Sequence, residues 1–274
     1  MVLMLPTMSF DSFLAALFLG FIEGITEYLP VSSTGHLIVF VDLLGFVGPP
    51  GKVFEIAIQM GAVSAVCVLY ARKLFDTVTG LTHDPAARRF AIAVIVAFIP
   101  AAILGVLFHD LIKNVLFSAS VVATTLILGG IAILIIERLK PSPRIFEIEN
   151  IGLRTALNIG LMQCLALVPG VSRSGATIMG ALILGVERKA AAEFSFFLAI
   201  PTLLGATVYD LWKNRAGLDG DGALLIVTGF LAAFIVAMAT VKWLIGFVSR
   251  HGFAPFAWYR IAFGTLLAVI LYLR

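Results

Sequence analysis

The chain has 274 residues, of which 61% are hydrophobic and 13% are charged, and its mean hydropathy is +1.07. Soluble domains carry about a quarter charged residues, so this composition excludes a soluble globular protein and indicates a polytopic membrane protein. The net charge of +3 comes from Lys and Arg residues that mostly flank apolar segments, where they set orientation, and so it does not indicate nucleic-acid binding.

The first apolar stretch along the chain is interrupted near its middle. Residues 10–28 and 31–46 are both apolar, and Leu29-Pro30 separates them. Because proline has no amide donor and disfavours helix at the residue before it, we predict two helices joined at a break. Irregular backbone at membrane depth is tolerated only where protein or a water-filled cavity covers it, so we predict a re-entrant helix hairpin rather than two crossings.

Three uninterrupted apolar stretches follow this hairpin, and three more end the chain after a second interrupted stretch. Each is long enough to cross about 30 Å of hydrocarbon as a helix. These six predicted transmembrane helices cover approximately residues 53–71, 90–108, 119–137, 190–211, 222–248 and 254–273. The second interrupted stretch, residues 151–168 and 171–186 around Pro169-Gly170, is predicted to form a second re-entrant hairpin. The predicted fold class is therefore all-α, as a single membrane domain over residues 1–274.

The two interrupted stretches are similar in sequence. With a constant offset of 140 residues, seven of the 27 positions in residues 20–46 are identical in residues 160–186. Corresponding broken segments in two halves of a membrane protein are typical of an inverted-topology repeat with a site between the halves. We predict that repeat one covers about residues 10–137 and that repeat two covers about residues 151–273.

The charge bias of the loops predicts the orientation. Cytoplasmic loops are enriched in Lys and Arg, and basic residues cluster in residues 72–89 and 138–154, so both regions are predicted to lie inside. The charge-mixed stretches at residues 110–113 and 213–221 then lie outside. Three crossings per half reverse the second half relative to the first, so the two hairpins enter from opposite faces and their tips meet near the bilayer centre.

Two acidic residues, Glu23 and Glu27, lie four residues apart in the first arm of hairpin one, which puts them on one helix face. Two carboxylates in an apolar segment need a cation or a shared proton, because desolvation and like charge disfavour two unpaired anions. The alternative is a solvated pair at a helix end, but ionisable residues within membrane segments are functional by default. We predict Glu23 and Glu27 as ligands of a divalent cation, Mg²⁺ first and Ca²⁺ as the alternative.

The tip of the second hairpin carries one cation, Arg173. A guanidinium binds phosphate through two parallel hydrogen bonds, so an arginine at this depth suits an anionic head group. The alternative is a snorkelling anchor, but Arg173 lies between two apolar arms rather than at an interface.

Hydroxyl groups surround both predicted tips, where new helices begin. Each alone is best explained as a helix cap, and the repeat alignment pairs Ser32 with Ser172 as the two caps. Two helix N-termini aimed at one point nevertheless form an anion site. The predicted binding residues for an anionic phosphate head group are Arg173, Ser172, Ser174, Thr177, Ser32 and Thr34.

Ser33 and His36 are the catalytic candidates at the first tip. Ser33 aligns with Arg173, so one can attack where the other holds the substrate. His36 follows Ser33 by three residues, a spacing that places both on one side of the first helical turn. We predict Ser33 as nucleophile, His36 as its general base and Glu27 as a third catalytic residue. Attack by water or by His36 stays open, and a satisfied core histidine is the alternative for His36.

Three motifs carry a resemblance to a known family: Glu23-Gly24-Ile25-Thr26-Glu27, Leu29-Pro30-Val31-Ser32-Ser33-Thr34-Gly35-His36 and Pro169-Gly170-Val171-Ser172-Arg173-Ser174-Gly175-Ala176-Thr177. They closely resemble the bacterial undecaprenyl-diphosphate phosphatase family, the integral-membrane type associated with bacitracin resistance, and the likeness runs over essentially the whole chain. The resemblance implies hydrolysis of undecaprenyl diphosphate to the monophosphate carrier of peptidoglycan synthesis. It also implies a divalent cation and a site accessible from the outer face of the plasma membrane.

The main rival to an enzyme is a polyprenyl-phosphate transporter or flippase, because inverted repeats with broken helices are also typical of transporters. Paired acids that suit a divalent metal, and a histidine beside a candidate nucleophile, favour the enzyme. The expected partners are a polyprenyl diphosphate lipid and the membrane, with no nucleic acid. Small residues are predicted to form helix contacts, either within one chain or across a homodimer, at Gly129-Gly130, Ala232, Ala233, Ala237 and Ala239.

Overall fold

The computed structural model describes residues 10–48, 53–108, 112, 116, 118–139, 142–213 and 222–273, and most of these lie in helices. In chain order the α-helices of the described residues are α1 (Phe10–Thr26), α2 (Ser33–Leu44), α3 (Val53–Leu69), α4 (Ala71–Gly80), α5 (Pro85–Leu107), α6 (Ala119–Leu139), α7 (Leu153–Gln163), α8 (Arg173–Ile183), α9 (Arg188–Lys213), α10 (Ala223–His251) and α11 (Ala254–Leu273). Short 3-10 turns at Ile148–Asn150 and Cys164–Leu167 flank α7. The prediction of an all-α fold is confirmed.

The six predicted transmembrane segments coincide with helices of the structure. Five of these helices, α5, α6, α9, α10 and α11, are long and apolar enough to cross a membrane alone. The sixth, α3, does so together with α4, from which a bend of 72° separates it. The chain is therefore a multi-pass membrane protein. The inverted repeat, its two boundaries and the re-entrant course of the hairpins stay predictions.

Helix breaks occur at both predicted places, between α1 and α2 and between α7 and α8. The residue before each following helix is a serine with a positive φ, 71° at Ser32 and 77° at Ser172. Each serine hydroxyl accepts a hydrogen bond from an amide in the first helical turn, Gly35 or Gly175, so both serines are caps. A positive φ is unfavourable for a residue with a Cβ atom, so other contacts must hold these two serines in place.

Small residues let pairs of helices approach closely. A Cβ atom at Gly24 of α1 would lie 2.7 Å from the Ala233 carbonyl oxygen of α10, and one at Gly130 of α6 would lie 2.7 Å from the Ala257 carbonyl oxygen of α11. Ala233 and Ala237 are fully buried. These small residues therefore form contacts within one chain. The close packing of α1 on α10 also fixes the position of the helix face that carries Glu23 and leads to Glu27.

The two regions predicted to lie inside are found at one end of the helix bundle. Lys73 of α4 forms an ion pair with Glu149, which precedes α7, so the segments after α3 and before α7 are neighbours. The charge-mixed stretches at residues 110–113 and 213–221 lie largely outside the described residues.

The close approach of α1 and α10 predicts a different effect for two Gly→Ala substitutions. Gly24→Ala is expected to destabilise the protein by about 1–3 kcal/mol, because its Cβ atom meets the backbone of α10. In the matched control, Gly246→Ala, the Cβ atom meets nothing within 4 Å, so stability is expected to stay or to rise slightly. Thermal unfolding in detergent measures both, and equal Tm values would contradict the described packing.

Candidate active site

The two helix breaks contact each other inside the bundle. The Ser174 hydroxyl of α8 donates a hydrogen bond of 2.8 Å to the Leu29 carbonyl of the first break. Arg260 of α11 donates to a carbonyl in each break, at Pro30 and at Gly170. The N-terminal ends of α2 and α8 therefore lie beside one another.

One carboxylate, that of Glu27, bonds to the beginnings of both helices. Its Oε2 atom accepts a hydrogen bond of 2.5 Å from the Ser33 hydroxyl, and its Oε1 atom accepts one of 2.7 Å from Nη2 of Arg173. The side chains of Glu27 and Arg173 are only 6% and 11% exposed, so water screens their ion pair little. The structure thus brings a hydroxyl, a carboxylate and a guanidinium into one series of hydrogen bonds.

The Arg173 guanidinium is also fixed by helix α9. Its Nη1 atom donates to the Ser195 carbonyl at 2.8 Å and lies 3.3 Å from the Ser195 hydroxyl. Its Nε atom is buried without a hydrogen-bond partner in the described part of the chain. Sequence analysis did not identify Ser195, because a single serine in an apolar helix carries no signal beyond its polarity.

The six predicted diphosphate-binding residues fall into two groups. Four of them line the cavity described below: Arg173, Ser172, Ser32 and Thr34. The other two, Ser174 and Thr177, are at most 1% exposed and bond to protein, Ser174 to Leu29 and Thr177 to Ser195. The positions of Ser174 and Thr177 therefore favour a role in holding the second break in place. Binding of a diphosphate by any of the six stays a prediction.

No hydrogen bond joins His36 to Ser33 among the described residues. Its Nδ1 atom lies 2.7 Å from the Ser32 carbonyl, which only accepts hydrogen bonds, so Nδ1 carries the proton. Its Nε2 atom accepts a hydrogen bond of 2.6 Å from the Tyr259 hydroxyl, and the rings of Tyr259 and Phe263 stack on the imidazole. The Ser33 hydroxyl donates to Glu27 instead, so the three-residue spacing is not accompanied by a hydrogen bond between the two side chains. The general-base role of His36 stays a prediction without a hydrogen bond to Ser33.

Glu23 lies one helical turn before Glu27 and is fully buried. Its carboxylate interacts with that of Glu27 and has no hydrogen bond to any other described residue. An unpaired buried carboxylate is costly, so this site needs a proton or a cation. Two carboxylates one turn apart fit a hard divalent ion that takes its remaining ligands from water or phosphate. The described residues contain no group of three or more acidic, His or Cys side chains that would enclose a metal fully.

A cavity of about 790 Å³ extends from this site. Its polar end is formed by residues of the two breaks, including Glu27, Ser33 and Arg173, and its walls are mainly apolar residues of α5 and α9. The cavity continues to the C-terminal ends of α5 and α9, near Val106 and Trp212. These ends are opposite the bundle end where α4 contacts the segment before α7, so the cavity extends towards the face predicted to lie outside.

Comparison with known proteins identifies similar chains over nearly the full length. A family described as "Bacitracin resistance protein BacA" matches residues 16–266. The protein named undecaprenyl-diphosphatase from Parvibaculum lavamentivorans is 57% identical over 262 residues, which are 96% of this chain and 98% of that relative. Undecaprenyl-diphosphatase 2 from Paramagnetospirillum magneticum is 56% identical, over 95% of this chain and 100% of the relative. Undecaprenyl-diphosphatase from Cereibacter sphaeroides is 54% identical, over 94% and 97%.

The geometry of Arg173 predicts that a lysine cannot replace it. Arg173→Lys keeps the charge but cannot contact Glu27, Ser195 and a phosphate together, so kcat/KM is expected to fall by about 10- to 100-fold. The control is Arg188→Lys, which alters a partly exposed ion pair, with Glu137 at 2.7 Å, outside the cavity lining. Steady-state kinetics of phosphate release measure both variants. A wild-type rate for Arg173→Lys would contradict the prediction that Arg173 is a phosphate ligand.

Proposed function

The chain belongs to the family of the bacitracin resistance protein BacA, and we propose that it hydrolyses undecaprenyl diphosphate to undecaprenyl phosphate and inorganic phosphate. This reaction recycles the lipid carrier for cell-wall synthesis. The observation that carries the proposal is the hydrogen-bonded series of Ser33, Glu27 and Arg173 at the polar end of an apolar cavity. It combines a nucleophile, a base and a cation where the head group of a lipid would lie.

Ser33 and Glu27 perform the proton and bond changes of the proposed mechanism. The Ser33 hydroxyl oxygen attacks the terminal phosphorus, Glu27 accepts the hydroxyl proton, and the bond from that phosphorus to the bridging oxygen breaks. Undecaprenyl phosphate leaves, and water then hydrolyses the serine phosphate to release inorganic phosphate and regenerate the hydroxyl. The short Ser33–Glu27 hydrogen bond supports Glu27 as the proton acceptor, whereas both ring nitrogens of His36 have other partners.

Charge stabilisation comes from Arg173 and from the two helix N-termini. Phosphoryl transfer depends mainly on positioning and on the stabilisation of negative charge. Arg173 lines the polar end of the cavity, and its positive charge would lie beside a phosphate bound there. The first amides of α2 and α8 have no acceptor within their own helices, and both helix dipoles present their positive ends there. These donors surround the place where the terminal phosphate lies during attack by Ser33.

Glu23 and Glu27 are the residues that would hold a divalent cation, Mg²⁺ or alternatively Ca²⁺. The unpaired, fully buried carboxylate of Glu23 supports this assignment. When bound, such a cation would offset part of the diphosphate charge. Glu27 would then bond to the cation, to Ser33 and to Arg173, which explains why a carboxylate with two oxygens occupies this position.

The cavity walls suit the first units of a polyprenyl chain. Phe98, Ala101 and Val106 of α5 and Leu203 and Val208 of α9 present an apolar surface that leads away from the phosphate site. The direction of the cavity supports access from the outer face of the plasma membrane, since the opposite bundle end carries the basic segments. The homodimer stays a prediction.

Phosphate release from purified protein tests the proposed function. The wild-type protein in detergent is expected to release inorganic phosphate from undecaprenyl diphosphate, and Ser33→Ala is expected to lower kcat by about 100-fold or more. Ser64→Ala is the matched control and is expected to keep the wild-type rate, because among the described residues the Ser64 hydroxyl bonds only to the Met60 carbonyl of its own helix. Mass spectrometry of quenched reactions is expected to find phosphate on Ser33.

Full activity of Ser33→Ala would remove Ser33 as the nucleophile and leave attack by water. If the wild-type protein released no phosphate but moved lipid between leaflets of vesicles, the transporter would replace the enzyme.

The proposed cation site predicts a changed metal requirement for Glu23→Gln. The amide keeps the shape of the carboxyl group but loses its charge, so the Mg²⁺ concentration for half-maximal activity is expected to rise about tenfold or more. Glu149→Gln, at the bundle end away from the cavity, is expected to leave this concentration unchanged. Titration of activity after treatment with a chelator measures both. An unchanged metal requirement for Glu23→Gln would contradict the cation site. It would indicate instead that Glu23 and Glu27 share a proton.

A further inference from the structure

Arg260 of α11 is a cation inside the membrane domain that the proposed mechanism does not use. It is 1% exposed, and none of the ion pairs among the described residues includes it. Its guanidinium instead donates only to backbone carbonyls, at distances of 2.8 to 3.3 Å. The acceptors are Pro30, Gly170, Val171, Thr125 and Leu126.

These acceptors belong to three parts of the chain that are distant from one another in the sequence. Pro30 lies in the first break, Gly170 and Val171 lie in the second, and the remaining two belong to α6. Pro30 and Gly170 are 140 residues apart, so the guanidinium binds the same position of both interrupted stretches. Only arginine has a planar fork of donors that reaches so many acceptors at once.

The carbonyl groups that accept hydrogen bonds from Arg260 include one shortly before each of the two strained cap residues. Ser32 and Ser172, with φ of 71° and 77°, follow the bonded carbonyls of Pro30 and Gly170 by two residues. Such a conformation costs about 1–3 kcal/mol per residue and persists only where surrounding contacts hold it. The next residue after each cap is a site residue, Ser33 or Arg173. The direction of these two side chains therefore depends on contacts that Arg260 supplies.

We propose that Arg260 is a positioning residue for phosphoryl transfer. It holds the N-termini of α2 and α8, and with them Ser33 and Arg173, in one fixed arrangement around the terminal phosphate. No carboxylate among the described residues neutralises it, so its positive charge also acts behind both helix ends. Preorganised charges and dipoles act mainly on the transition state, so the loss of Arg260 acts on kcat more than on KM. The inference rests on the proposed function.

Gly129 of α6 leaves space for this guanidinium, so a larger residue at position 129 is expected to displace it. A Cβ atom at Gly129 would overlap Nη2 of Arg260 and lie 2.7 Å from its Cζ atom. A Cβ atom at the adjacent Gly130 would instead meet the Ala257 carbonyl oxygen at 2.7 Å. Both Gly→Ala substitutions crowd the same α6–α11 contact. The Cβ atom at Gly129 overlaps the guanidinium itself, whereas the one at Gly130 lies 3.3 Å from the Cβ atom of Arg260, at the other end of that side chain.

The test compares Gly129→Ala with Gly130→Ala, and adds Arg260→Lys, in full-length purified protein. Gly129→Ala and Arg260→Lys are expected to lower kcat for undecaprenyl diphosphate by about 10- to 100-fold, with KM changed less than about threefold. Gly130→Ala is expected to lower Tm as much as Gly129→Ala does but to keep kcat within about threefold of wild type. Thermal unfolding is measured for every variant, so that a structural defect is separated from a loss of positioning.

Equal kcat values for Gly129→Ala and Gly130→Ala would overturn the inference while leaving the proposed function intact. If Arg260→Lys yields no folded protein, the comparison of the two glycine variants decides. A wild-type protein that releases no phosphate would overturn the proposed function and this inference together.

Discussion

The site depends on one buried carboxylate, Glu27, which bonds to the first residue of each helix that follows a break. Ser33 and Arg173 are 140 residues apart, and Glu27 is the group that both side chains contact. A carboxylate at this depth is stable only when charge and hydrogen bonds compensate its desolvation, and the guanidinium and the hydroxyl do so. The same requirement that stabilises Glu27 therefore brings a carboxylate, a hydroxyl and a guanidinium to one place, the three groups to which we assign the roles of base, nucleophile and anion ligand.

Two interrupted helices provide what unbroken helices cannot, which is free amide groups inside the helix bundle. The cost is a backbone that turns through unfavourable conformations at Ser32 and Ser172. The protein holds these turns with buried polar contacts: the serine caps, the Ser174 bond to Leu29 and the carbonyl contacts of Arg260. Close packing of α1 on α10 fixes the acidic face in the same way. The cavity then gives an apolar chain a path to a polar, preorganised centre.

The helices and breaks were predictable because they follow from local properties: the length of each apolar stretch, and proline or glycine between the arms. The predicted spans differ from the helices mostly at their ends, and the largest difference is at the start of α5. The acidic pair and Arg173 were predictable as polar groups where lipid-like sequence surrounds them. Ser195 and the contacts of Arg260 were not, because they join segments that are distant in sequence. The hydrogen-bond partners of His36 were not predictable either, because its Nε2 atom bonds to Tyr259, a residue that is distant in the sequence.

The central claim is that Glu27 and Arg173 act as one unit although they belong to different halves of the chain. A double-mutant cycle of Glu27→Gln and Arg173→Lys, with kcat/KM for undecaprenyl diphosphate as the readout, tests this most directly. If the two residues act as a unit, kcat/KM of the double variant is expected to be about as low as that of the slower single variant. Losses that multiply, so that the double variant shows the product of both single effects, would contradict a shared site.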